Sequence, residues 1–174
     1  MNTLKAEKRS MDVKAKKLRR EGYVTGNLFG REIEGSIPLK FTKKEIEVLL
    51  KNNNKGSQVM LELDGKTYDA LIKEVDYNPL AHTVEEVDFQ ALVSNEMVHS
   101  VAEIILENEE MVVSGVLQDE LKEVAYKALP ADLVDKIKVD VAGMKIGDTL
   151  RVKDLEIAKN KNIHITTDLE SVIA

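Results

Sequence analysis

A mainly β protein of two domains is what this sequence predicts, and three observations predict it. Val59-Met-Leu-Glu-Leu63 and Lys66-Thr-Tyr-Asp-Ala-Leu-Ile72 flank Asp64-Gly65. That dipeptide supplies the positive φ angles of a two-residue hairpin turn. Ile137-Lys-Val-Asp-Val141 alternates apolar and polar residues with the period of a half-buried strand. Val93-Ser-Asn-Glu-Met97 interrupts the apolar pattern between two β-rich halves, which divides the chain into domains 1–93 and 94–174. A chain of 174 residues, 43% apolar, has enough material for two small cores.

The elements follow in order. Asp12–Glu21 suits a short basic helix stopped by Gly22. Gly26 and Gly30 bracket Asn-Leu-Phe, which reads as a short strand between turns. Ser36–Phe41 reads as a strand, and Pro38, having no N–H to give a ladder, places it at an edge or a strand start. Thr42-Lys-Lys-Glu45 has the spacing of a capping box. It opens a helix with Ile46, Leu49 and Leu50 on one face, ended by Asn52-Asn-Asn-Lys-Gly56. After the hairpin, Asn78-Pro79 marks a turn before a strand near Thr83–Leu92. In the second half, Val98–Leu106, Met111–Val116 and Leu121–Ala128 read as strands. Pro130 then interrupts, Gly147-Asp148 turns, Leu150-Arg-Val-Lys opens a further strand, and Ile163-His-Ile-Thr-Thr is β-rich.

Charge is distributed unevenly. The net charge is −6, yet residues 1–20 hold eight basic residues against two acids. Through Gln90 the balance is +1; from Ala91 onward it is −7. A cationic segment on an anionic body suits a protein that meets a polyanion with one surface. The acidic second half should be repelled by nucleic acid and is better suited to a protein neighbour, or to none. There is no cysteine, so disulfides, thiolate metal sites and a cysteine nucleophile are excluded. No apolar run nears the ~20 residues that span a bilayer, and no apolar stretch follows the N-terminal charges as in a signal peptide. The expectation is a cytoplasmic protein with no membrane partner.

Enzyme signatures are missing: no phosphate-binding loop, no dinucleotide fingerprint, no nucleophile elbow. The spacing of Gly22, Gly26 and Gly30 is met by turn geometry. His82, His99 and His164 show no metal-ligand spacing, so no metal or cofactor is expected. Glu85, Glu86 and Asp88 read as a solvated strand face. Alternation turns Asp88 away from the side that buries Val87 and Phe89, where its carboxylate can accept from a base amino group. The basic cluster reads either as a solvated helix face or as a phosphate-binding surface. Tyr23 and Phe29 stand nearby as aromatic rings able to stack on bases, although Phe29 also suits a core.

An ordered set of segments carries a resemblance. Ala6-Glu-Lys-Arg9, Lys17-Leu-Arg-Arg-Glu-Gly22, Leu28-Phe-Gly30, Leu71-Ile-Lys-Glu-Val-Asp-Tyr-Asn-Pro-Leu80 and Val87-Asp-Phe89 resemble, in order and spacing, the bacterial 5S-rRNA-binding large-subunit ribosomal proteins of the general-stress-protein Ctc type. Leu129–Val141 and Ile146–Leu155 extend the likeness into the second half. The resemblance implies a six-stranded closed β-barrel with short helices, then a second β-rich domain without assigned chemistry. It also implies a non-enzymatic protein that binds a helix of 5S rRNA within the 50S subunit; a monomer off the ribosome is the default expectation, and neighbouring ribosomal proteins are one candidate partner for the second domain.

By position, Arg9 and Arg19 match family arginines that contact RNA, and Asp88 matches the aspartate of His-x-Asp-Phe. Lys14, Lys16, Lys17 and Arg20 supply flanking phosphate contacts. Phe29 and Glu86 complete the expected surface but depart from the family pattern, which has tyrosine and histidine there. The stretch before the basic helix is shortened to Met11-Asp12, and the family's Pro-Ala is Thr25-Gly26. A carboxylate among phosphates is repelled. The alternative is therefore a paralogue that keeps the fold, has a weakened RNA site, and acts off the ribosome as a stress-linked or protein-interaction module.

Overall fold

The computed structural model describes residues 2–174. The chain divides into two compact units, one running through Glu96 and the other from Met97 to Ala174. In the first, six strands close into a barrel in the order β1-β3-β2-β6-β5-β4. They are β1 Thr3–Lys8, β2 Tyr23–Phe29, β3 Ser36–Thr42, β4 Gln58–Leu63, β5 Lys66–Asn78 and β6 Thr83–Ala91. Two short helices, α1 Ala15–Arg20 and α2 Lys43–Leu50, interrupt them. β4 and β5 form the expected hairpin, with Leu63 opposite Lys66 and Asp64 and Gly65 both at positive φ, 50° and 78°. Alternation fills the barrel interior: Leu61, Ile72, Val87 and Phe89 are all buried, and Phe41 meets Phe89 with ring centroids 5.5 Å apart.

Helix α2 covers this core with Ile46 and Leu49. Thr42 caps it: its Oγ1 accepts from the Glu45 N–H at 3.3 Å. The Glu45 carboxylate does not return to the cap's backbone; it accepts from the Thr42 hydroxyl at 2.8 Å.

The structure adds one strand to the sequence reading and corrects two of its expectations. Residues 3–8 form a strand that composition conceals, because only Leu4 and Ala6 face inward among charged neighbours. Gly26 is not a turn residue: it sits buried in the middle of β2. A Cβ there would lie 1.9 Å from the Val87 carbonyl oxygen, so glycine is required for β6 to approach. Pro38 is on no free edge, since the barrel is closed. In an antiparallel ladder a residue's N–H and C=O point to the same neighbour. The Pro38 carbonyl accepts from Arg9 N–H at 2.9 Å, so its missing donor falls on the last rung of β1, where pairing ends anyway.

In the second unit, β7 Val98–Glu107 is central, antiparallel to β8 Glu123–Ala128 and parallel to β9 Lys136–Asp140. The two-residue β10 His164–Ile165 pairs with β8. Tyr126 is fully buried, and its hydroxyl both donates to the Val134 carbonyl and accepts from the Val134 N–H, each at 2.7 Å. Two expected strands are absent among the described residues. Met111–Val116 makes a single 3-10 turn, Glu109–Met111, and then runs irregularly. Both sides of β7 are already paired by β8 and β9, so no ladder on that strand is open to it. Leu150–Lys153 forms one isolated bridge, Arg151 to Val172. The Asp154 carboxylate accepts from the Arg151 N–H at 2.9 Å and winds the chain into a 3-10 turn instead.

Candidate nucleic-acid interface

The basic segment is organised by one apolar side chain. Leu18 is buried and anchors α1, so the other side of this short helix is left to its cations. Lys14, Lys16, Lys17 and Arg20 are exposed, while Arg19 is half-buried. Lys17, Arg19 and Arg20 occupy the last turn, where cations are favoured by the partial negative charge of free carbonyls. Lys17 reaches Glu21 at only 3.9 Å and stays exposed, a contact of little energetic weight.

The two arginines carried over from the resemblance are held differently from the lysines. Arg19 lies over β6 and donates from Nε to the Glu85 carbonyl at 3.3 Å. The Thr25 hydroxyl donates to the same oxygen at 3.4 Å. Arg9 follows β1 and donates from Nη2 to the Val13 carbonyl at 3.3 Å, which folds residues 9–13 back on themselves. Its Nε is buried without a hydrogen-bond partner. Both side chains are therefore positioned before any ligand arrives, and both retain guanidinium N–H groups beyond these bonds.

Beneath them lies the outer face of β2, β6 and β5. β2 turns Tyr23, Thr25, Asn27 and Phe29 to the outer side of the barrel and Val24, Gly26 and Leu28 inward; Thr25 is fully buried even so. β6 runs parallel to β2 with Thr25 opposite Glu86 and Phe29 opposite Gln90. β5 brings Asp76 opposite Glu86 and Glu74 opposite Asp88. Four carboxylates thus share one face with the helix cations. At Gly26 the ladder is irregular, and Asp88 repairs it: its Oδ1 accepts from the Asn27 backbone N–H at 3.1 Å and from Nδ2 at 3.3 Å. Asp88 is turned outward, as alternation predicts, but this oxygen serves the strand. Glu86 receives only a long contact from Asn27 Nδ2, at 3.5 Å. Burial, then Asp88, then Asp76 push the Glu86 carboxyl above the ordinary glutamate value, and Arg19 and Arg9 partly offset this. Among the described residues neither arginine forms an ion pair with it.

Arg9, Arg19, Glu86 and Asp88, far apart in sequence, are thus brought onto one patch. Phe29 is half-buried two residues beyond Asn27 on the same outward row. Tyr23, at the other end of that row, is covered by the Lys40 ammonium 4.7 Å from its ring centroid. Thr25, Asn27, Glu74 and Asp76 were not legible as members of the patch. Period-two alternation makes them outward-facing, but nothing local says that β2 pairs with β6.

Comparison with known proteins adds an independent line. The pattern described as the Ribosomal L25p family matches residues 4–89. That of the ribosomal protein TL5 C-terminal domain matches residues 97–174. The large ribosomal subunit protein bL25 of Carboxydothermus hydrogenoformans is 33% identical, over 97% of this chain and 87% of that protein. The proteins of the same name from Akkermansia muciniphila and Bacillus velezensis are 31% and 30% identical, over 97% and 100% of this chain and 83% and 87% of their own lengths.

Proposed function

We propose, from the premise that this chain belongs to the Ribosomal L25p family, that it is a non-catalytic structural protein of the bacterial large ribosomal subunit and binds 5S rRNA through the outer face of its barrel. The observation that carries the reading is the juxtaposition of two pre-positioned arginines with an exposed row of cations on α1. Lys14, Lys16, Lys17 and Arg20 contact phosphates and set orientation. Arg9 and Arg19, held against the backbone, present their free N–H groups to base edges or phosphates with little further ordering. Asn27 and the second oxygen of Asp88 line the adjoining strand face, where the wide minor groove of an RNA helix offers 2′-hydroxyls and base edges. Phe29 supplies an apolar ring at the end of this row. The protein then works in the cytoplasm, as a monomer before it joins the ribosome and without a cofactor.

Titration of the full chain against 5S rRNA of the same bacterium, at two salt concentrations with tRNA as competitor, tests this. If about four to six cations engage phosphates, log K falls against log salt with a slope of about −3 to −5. Binding no tighter than to tRNA overturns the reading. One observation favours the second reading, a paralogue with a weakened site. Glu86 places a carboxylate inside the patch, already crowded by Asp88 and Asp76. If Glu86→His creates 5S rRNA affinity that the natural chain lacks, the weakened-site reading stands.

A further inference from the structure

The second unit carries a surface that the RNA reading does not use. We propose that the segment Val113–Asp119 is a docking edge for an extended, basic segment of another protein, which adds to it as a strand. Three features of this segment converge. Between the bonds Val112 N–H to Glu109 O and Glu120 N–H to Ile173 O, no residue from Val113 to Asp119 makes a backbone–backbone hydrogen bond among the described residues. Seven consecutive residues therefore present free donors and acceptors, the requirement for strand addition. The side chains are apolar and out in solvent: Val113 is 90% exposed, Val116 97% and Ile146 78%. Isolated exposed apolar residues need no explanation, but a group of them around a depression marks a contact surface. Here Val116, Leu117, Met144, Ile146 and Val172 line a cavity of about 450 Å³. Gly115 passes Ile146 so closely that a Cβ would lie 2.9 Å from Cγ1, which seats the segment against the 144–149 turn.

Charge selects the occupant. Glu120 and Asp148 line the cavity with a single lysine, Lys145, and Glu109, Glu110 and Asp119 adjoin it in sequence. Residues 97–174 as a whole hold fifteen acids against nine bases. Such a rim repels phosphate and attracts lysine and arginine. The partner that fits is an extended peptide segment alternating apolar residues with lysine or arginine. Its backbone pairs with Val113–Asp119, alternate side chains enter the cavity, and the others meet the carboxylates.

The test uses the full chain and a ten-residue synthetic peptide alternating lysine and valine, with a glutamate–valine peptide as control. Affinity is measured by titration, and the binding site by hydrogen–deuterium exchange. The proposal expects saturable binding, slowed exchange within residues 113–119, and at least ten-fold weaker binding of the glutamate peptide. Val116→Asp, at a fully exposed site, should weaken the peptide ten-fold or more with an unchanged melting temperature; Ile146→Asp provides the second variant. No saturable binding, equal binding of the two peptides, or protection elsewhere overturns the proposal. So does 5S rRNA slowing exchange within 113–119. Val116→Asp leaves 5S rRNA affinity unchanged, so this proposal and the RNA reading fail separately.

Discussion

Glu86 and Arg19 stand side by side on the barrel's outer face and pull its chemistry in opposite directions. Arg19 is fixed by its bond to the Glu85 carbonyl. Arg19→Ala is expected to weaken 5S rRNA binding and reduce the salt slope by about 0.7–0.9, one phosphate's share; titration at several salt concentrations reads both. An unchanged slope removes Arg19 from the interface. The Glu86 carboxyl is held above its ordinary value by burial and by Asp88 and Asp76. The folded chain thus keeps this proton to higher pH than the unfolded chain does. Ionised Glu86 therefore destabilises the fold above its raised value, and that penalty fades as pH falls through the raised value and is gone below the ordinary glutamate value. Glu86→Gln should raise the melting temperature at neutral pH, with the gain vanishing by about pH 4. An equal gain at both pH values would show that charge is not the cause. These two side chains show how far local pattern reaches. Basic clustering marked the whole segment, only the resemblance singled out Arg9 and Arg19 within it, and alternation turned Asp88 outward. That Asp88 serves Asn27, and that Glu86 is crowded by a carboxylate from β5, depends on strand neighbours that are set only when the barrel closes.

At the scale of elements, β2 and α2 carry the sharpest expectations. Gly26→Ala places a methyl 1.9 Å from the Val87 carbonyl, a backbone atom with no room to yield. β2 and β6 must then separate, and the variant should lose well over 3 kcal/mol or fail to fold, as denaturant unfolding would report. The Gly26 position also sets the Asp88–Asn27 repair, so any folded remnant loses the proposed RNA face with it. Thr42→Ala removes the cap of α2 and should cost about 1 kcal/mol without altering RNA affinity, since α2 faces the core through Ile46 and Leu49. Elements with strong local signals were legible in the sequence: the Asp64-Gly65 hairpin, the Thr42 cap, the alternating β9. Those decided by partners were not. β1 offers only Leu4 and Ala6 to the core. Met111–Val116 has strand composition, yet both sides of its neighbour β7 are taken. Leu150–Lys153 is diverted by the Asp154 side chain.

For the molecule as a whole, charge and fold are partitioned alike. The proposed RNA surface lies in the first unit, and the second carries the whole of the acidic excess. A chain ended at Glu96 should keep the 5S rRNA affinity and salt slope of the full chain, while residues 97–174 alone should show no RNA binding in the same titration. Loss of binding by the first piece would make the second unit part of the site. One feature of the barrel reaches further. β1 is its first strand in sequence, but it is held by β3 and, in parallel, by Met60–Leu63 of β4. During synthesis its Glu7–Lys8 end can pair as soon as β3 is made, but Thr3–Ala6 must wait until Met60–Leu63 of β4 have followed. Arg9 is anchored with β3 through the bond from its N–H to the Pro38 carbonyl, but Arg19 leans on the Glu85 carbonyl and is set in place only when β6 has joined the barrel. A nascent chain shorter than β6 has its lysines available but no organised arginine pair, so discrimination between 5S rRNA and other RNA should appear late in translation and all at once. Deleting residues 2–8 would likewise remove a stave from the barrel and not merely two or three charges from a tail.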